Sequence, residues 1–157
     1  RVGPPIEKPV DDVRLYFQEW LENDGYPWWP YWENIHSWWE IRQLPNVLFL
    51  HFADMKADMG REMRRVAGFL DISIDEEKWP QMMEYCSFQY MKANATKSVP
   101  LGGAFWDAGA EVFIHKGQNG RWRDILAAED SRAYEDRAQK ELGAECAHWL
   151  ANGGITN

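Results

Sequence analysis

The sequence predicts an α/β chain, mostly helical, with a few strands of a parallel sheet. Three observations carry this. Val47 to Phe52 is apolar with no polar–apolar alternation apart from His51, the pattern of a strand buried on both faces. Val112–Ile114 is a second, shorter apolar run. Most other apolar residues recur at three- and four-residue spacing, the period of an amphipathic helix. The regular strand–helix alternation of a complete α/β domain is absent, so the expected strands are few.

The elements follow in order. Residues 1–10 hold three prolines and read as an extended arm. Asp11-Asp12 open a helix whose inner face is Val13, Tyr16, Phe17, Trp20 and Leu21, and Asn23-Asp24-Gly25 stop it. Gly25–Pro30 is a loop. A second helix is expected over Tyr31–Gln43, ended by Leu44-Pro45-Asn46. After the Val47–Phe52 strand comes a helix over Ala57–Leu70, with Met63, Val66, Ala67 and Leu70 inward and Asp71 where glycine often ends a helix. Asp75–Cys86 is a further helix, capped by Asp75. Residues 95–111 are loop-like, rich in glycine. The last helix runs from about Ala127 to Asn152, with a break at Gly143 and an end at Gly153-Gly154.

At 157 residues, 45% hydrophobic and 27% charged, the chain suits one globular domain and not a disordered segment. Its net charge of −8 argues against a general nucleic-acid partner. Any anion site is then a local basic cluster on an acidic body. No apolar run reaches the length of a membrane span, and no apolar h-region follows Arg1-Val2-Gly3-Pro4-Pro5. A cytoplasmic location and no membrane partner are therefore expected. Cys86 and Cys146 lack metal spacing. They read as free thiols or as one disulfide.

Most catalytic classes find no support. The four histidines have no His-x-x-x-His or Cys-x-x-Cys partner, so no metal is expected. There is no Gly-x-Ser-x-Gly elbow. Glu129-Asp130 read as helix-start charges. Six of the ten tryptophans fall in residues 20–39, where they either line a pocket or pack helices together. His36 beside them either faces an acceptor or is structural.

The stretch from Val112 to Trp122 concentrates the chemistry. An apolar run stops at His115-Lys116, and Gly117 and Gly120 follow. Glycine lets a backbone approach a ligand closely, and the basic pair suits an anion such as phosphate. Arg121 and Arg123 add charge beyond it.

Residues 115–122 resemble the Arg-Lys-Gly-x-x-Gly-x-Trp segment of cytosolic-type PAPS-dependent sulfotransferases. Two other segments resemble that family in the expected order. Val47–Lys56 is similar to its strand ending in Tyr-Glu-Asp-Leu-Lys. Ser87–Asn94 is similar to its Ser-Phe-x-x-Met-Lys-x-Asn motif. The resemblance implies the C-terminal half of a P-loop-like sulfotransferase fold, with residues 1–157 as a single domain belonging to a larger one.

It also implies sulfuryl transfer from PAPS to a hydroxyl or amine of a small-molecule acceptor, with no metal. By position, Phe52 falls near the adenine. Cys86, Ser87 and Phe88 line the adenine pocket. His115, Lys116 and Gly117 hold the 3′-phosphate, and Trp122 packs behind that loop. His115 stands where arginine is usual. A neutral imidazole gives one donor in place of a bidentate fork, which makes phosphate binding weaker or pH-dependent. The family's dimerisation signature is not recognisable in Asp124–Glu129, so a homodimer is only one possible assembly. The family's phosphate loop, catalytic histidine and 3′-phosphate arginine–serine pair have no counterpart here. Catalytic residues are therefore expected outside this chain, which is expected to be inactive alone. The rival readings are a non-catalytic Trp-rich interaction module, with exposed tryptophans and no nucleotide affinity, and a nucleotide-binding regulatory domain.

Overall fold

The computed structural model describes residues 10–25, 30–104 and 109–154. In chain order the helices are α1 (Val13–Glu22), α2 (Tyr31–Glu40), α3 (Phe52–Ala57), α4 (Met59–Phe69), α5 (Trp79–Tyr85), α6 (Phe88–Ala93), α7 (Ala95–Ser98), α8 (Ala110–Phe113) and α9 (Ala128–Asn152). Pro100–Gly103 and Arg121–Asp124 are 3-10 turns. The expected arm (1–9), Tyr26–Trp29 of the first loop, and residues 105–108 of the glycine-rich stretch lie outside the described residues.

The expected parallel sheet is not there. The described residues contain no strand. Val47–His51 has no regular secondary structure, and Phe52 opens α3. Val112 and Phe113 belong to α8 and are 51% and 54% exposed. A strand exists only when a neighbour satisfies its backbone donors and acceptors. Among the described residues neither run has such a neighbour. Phe49 is half-buried, but against the rings of Trp39 and Trp149 on helices, at 6.0 and 5.1 Å between centroids. An apolar run reports burial, and the nature of the cover is a tertiary matter.

The chain divides into two compact units. The first combines residues up to Asp54 with those from Arg121 on, and the second is Met55–Gly120. In the first unit, Asp12 caps α1 by accepting from the amides of Arg14 (2.8 Å) and Leu15 (3.1 Å). The chain then turns through Asp24 and Gly25, both at positive φ. Asp24 Oδ1 accepts from the amides of Tyr31 (3.0 Å) and Trp32 (3.1 Å). It thus caps α2 where the Pro30 ring has no acceptor to do so. Helix α2 ends three residues earlier than expected and packs on α9. Their shared core is Trp32, Trp39, Ala138, Leu142 and Cys146. The break in α9 falls at Gly143 (φ 75, ψ 165), as the sequence indicates. Both cysteines are free, Cys86 exposed and Cys146 buried.

A buried acid closes this unit. Asp130 accepts from the Ala127 amide (2.9 Å), from Gln18 Nε2 (2.8 Å) and from Arg14 Nε. It caps α9 and ties α1 to it. The Arg14 and Gln18 hydrogen bonds hold its carboxyl down to about 2.

The second unit is built from shorter pieces. Asp58 caps α4 by accepting from the Arg61 amide at 2.9 Å. The helix expected over Ala57–Leu70 thereby starts two residues later, as α4, and Ala57 ends α3 instead. Asp71 takes the glycine position after α4 with φ 54, and the Ile72 amide closes on Ala67 O at 2.8 Å. Asp75 shapes a turn instead of starting a helix, accepting from the amides of Glu77 and Lys78. The core is small: Ala95, Val99, Ala110 and Ile114, with Phe88 and Met91 against it. Small residues permit close backbone approach. A Cβ on Gly103 would lie 2.3 Å from Ala110 N.

Candidate functional site

The 115–117 loop lies at the surface of the second unit, with His115, Lys116 and Gly117 all exposed. Ile114 just before it is buried in the small core and fixes where the loop begins. Gly117 has φ +60, and an added Cβ would sit 2.6 Å from the Phe88 ring. Glycine is required there twice, for the left-handed backbone and for the ring beneath it.

Helix α6 supplies that ring. Ser87 caps the helix, its Oγ accepting from the Tyr90 amide at 3.1 Å. Phe88 and Lys92, four residues apart, share one face. Lys92 Nζ lies 5.8 Å from the centre of the Phe88 ring and donates to His115 O at 3.0 Å. From α3, Lys56 Nζ donates to Gly117 O at 2.8 Å. Three lysines therefore meet at one loop of a chain whose net charge is −8.

The structure thus brings together Phe88, His115, Lys116 and Gly117. Ser87 is one residue away in a capping role, and exposed Cys86 ends α5. Phe52 belongs to the first unit and is 64% exposed, so its ring is accessible for stacking. The sequence reading missed Lys56 and Lys92. Their signal was present in two of the quoted motifs: Lys56 closes one and Lys92 lies within the other.

The tryptophan cluster divides. Trp32 and Trp39 are buried core, and Trp20 packs edge-on against Tyr31 at 4.8 Å. Trp38 is exposed, and Trp28 and Trp29 lie outside the described residues. Packing accounts for the buried pair. Trp122 lines an open apolar groove of about 430 Å³ in the first unit, with Phe17, Trp20, Ile125 and Tyr134. His36 is exposed, its Nδ1 3.9 Å from Glu40 Oε1 one turn on. Among the described residues no group of three or more His, Cys, Asp or Glu is placed to hold a metal ion, and no helix is long and apolar enough to cross a membrane.

The family model described as a sulfotransferase domain matches residues 7–145. Sulfotransferase 1C2 of Rattus norvegicus is 28% identical over 129 residues, which cover 82% of this chain and 43% of that protein. Luciferin sulfotransferase of Photinus pyralis is 37% identical over 92 residues, 50% of this chain and 25% of that one. The chain spans less than half the length of these relatives. The crystal structure of mouse sulfotransferase SULT7A1 complexed with PAP matches with a TM-score of 0.69 at 20% identity, covering 89% of this chain and 51% of that chain. This last likeness is one of fold.

Proposed function

The chain belongs to the sulfotransferase family, and from that premise we propose that it supplies the 3′-phosphate side of a nucleotide site. The enzyme so formed transfers a sulfuryl group from PAPS to a hydroxyl or amine of a small acceptor in the cytoplasm. The observation that carries this is the 115–117 loop: exposed donors and positive charge on a backbone held open by Gly117 over Phe88.

The donor set fits a phosphate monoester. The Lys116 ammonium offers three donors and a full charge, and His115 offers one or two ring N–H groups. The Ser87 hydroxyl spends its acceptor on the Tyr90 amide and keeps its proton for a ligand. Phe88 and Cys86 complete the proposed adenine wall. PAPS brings the transferable group, and the residues of this chain bind and orient the nucleotide that carries it.

The test is thermal stabilisation by 3′-phosphoadenosine 5′-phosphate (PAP) against ADP. At a hundredfold excess over Kd, a ligand of the native state adds about 2.7 kcal/mol. For a chain of this size that is roughly 5–10 °C in Tm. PAP is expected to give such a shift and ADP a clearly smaller one. Equal shifts, or none with PAP, overturn the reading. His115→Arg restores a bidentate fork and should lower the Kd for PAP about tenfold, while Lys116→Ala should abolish the preference for PAP.

A further inference from the structure

Lys56 and Lys92 do something the three-residue loop cannot do for itself. Each ammonium holds a backbone carbonyl on either side of Lys116: Lys92 on His115 O at 3.0 Å and Lys56 on Gly117 O at 2.8 Å. In a planar trans peptide, the C=O of one residue and the N–H of the next point in opposite directions. Fixing the carbonyl of His115 therefore fixes the N–H of Lys116 on the opposite side. Fixing the carbonyl of Gly117 does the same for the N–H of Gln118.

We propose that Lys56 and Lys92 are positioning residues that turn the amides of Lys116 and Gln118 outward, as two fixed donors for a nucleotide phosphate. This deepens the reading above and rests on it. The two tethers draw the carbonyl oxygens, which would repel an anion, away from the side the donors face. They also leave their own positive charge close behind the loop. Charge-assisted bonds are the stronger kind and suit a tether of this sort.

The arrangement is built from separate elements. Helix α6 gives both the floor, Phe88 under Gly117, and one tether, Lys92 one turn on. Helix α3 gives the other, from 61 residues away in sequence. Gly117 at φ +60 allows the backbone to turn between the two held carbonyls. An exposed lysine on a carbonyl adds little to global stability, so the predicted consequence is local.

The variants are Lys56→Met and Lys92→Met, which keep the apolar stem and remove the ammonium, with Lys→Arg at each site as the rescue. The first measurement is the backbone 15N order parameter of residues 115–118 without ligand. A rigid loop reads about 0.85, and the Met variants are expected to fall below about 0.6. The second is the Kd for PAP beside that for ADP. If the competent loop is populated a tenth of the time, the PAP Kd rises about tenfold. The ADP Kd should not move, and Arg should restore both readings. Unchanged order parameters overturn the proposal. So does a loosened loop that binds PAP as well as before. If the unsubstituted chain shows no PAP preference, the nucleotide reading fails, while the order parameters still decide whether the lysines set the loop.

Discussion

The two units of this chain solve packing in opposite ways. The first buries large rings: Trp32 and Trp39 of α2 against Ala138, Leu142 and Cys146 of α9, with Phe49 and Trp149 continuing the cluster. The second buries a few aliphatic side chains and no ring, Ala95, Val99, Ala110 and Ile114, over short helices, with Phe88 and Met91 only partly buried against them. Among the described residues each also holds one buried acid. Asp130 of the first is tied to Arg14, 116 residues away, while Glu62 of the second pairs with Arg61 and Arg65 on its own helix. Large rings remove much apolar area from water and give a firm scaffold. Small residues let backbones approach, which leaves peptide groups and glycines at the surface where a ligand can use them. The acidic residues are divided in the same sense: the second unit has nearly as many basic as acidic residues, and most of the net negative charge lies in the first.

Substitutions can break this contrast. Trp39→Ala should cost about 3–5 kcal/mol, read from the denaturation midpoint. A loss below 1 kcal/mol would mean the ring cluster is not what holds the first unit. The second unit should be most sensitive where it has no side chain at all. Gly103→Ala sets a Cβ 2.3 Å from Ala110 N at φ +88, and should cost about 2–4 kcal/mol. Tolerance at that site would refute the close-approach account.

Acid should act on the first unit through Asp130. Its folded-state value of about 2 lies below the ordinary carboxylate value of 3.8. The stabilisation is therefore complete above about pH 4 and is lost as pH falls toward 2. Asp130→Asn should flatten the Tm profile across that window. A profile as steep as before would assign the acid loss to other carboxylates.

The finest test uses two aspartates with the same φ. Asp24 and Asp71 both have φ 54. Asp24 also caps α2 through two amides; glycine relieves the same backbone strain there but loses the cap, so Asp24→Gly should be less favourable than Asp71→Gly by roughly 0.5–2 kcal/mol. Asp71 is exposed and ends α4 through its backbone. Asp71→Gly relieves the left-handed strain, less the added freedom of glycine when unfolded, and should change stability by less than about 1 kcal/mol, toward gain. Equal losses at both sites would show that the cap contributes nothing.

Much of this was legible in the sequence. Local chemistry is written in consecutive residues: the Asp12 cap, the half-buried Tyr16, Phe17, Trp20 and Leu21 of α1, the half-buried Met63, Val66 and Ala67 of α4 (Val13 and Leu70, expected with them, are exposed), the break at Gly143, and a basic glycine loop at 115–117. The family motifs could be read for the same reason, since each is a short run. Tertiary structure decided what needs a partner far along the chain. It left Val47–Leu50 without a ladder and placed Val112 and Phe113 in a helix, because no apolar run specifies what will cover it. It sent Trp32 and Trp39 inward while Trp38 stayed out. It carried Lys56 and Lys92 to carbonyls 61 and 23 residues away. A side chain's type is set by sequence, but the direction in which a long lysine is satisfied depends on which backbone groups the fold brings within its reach.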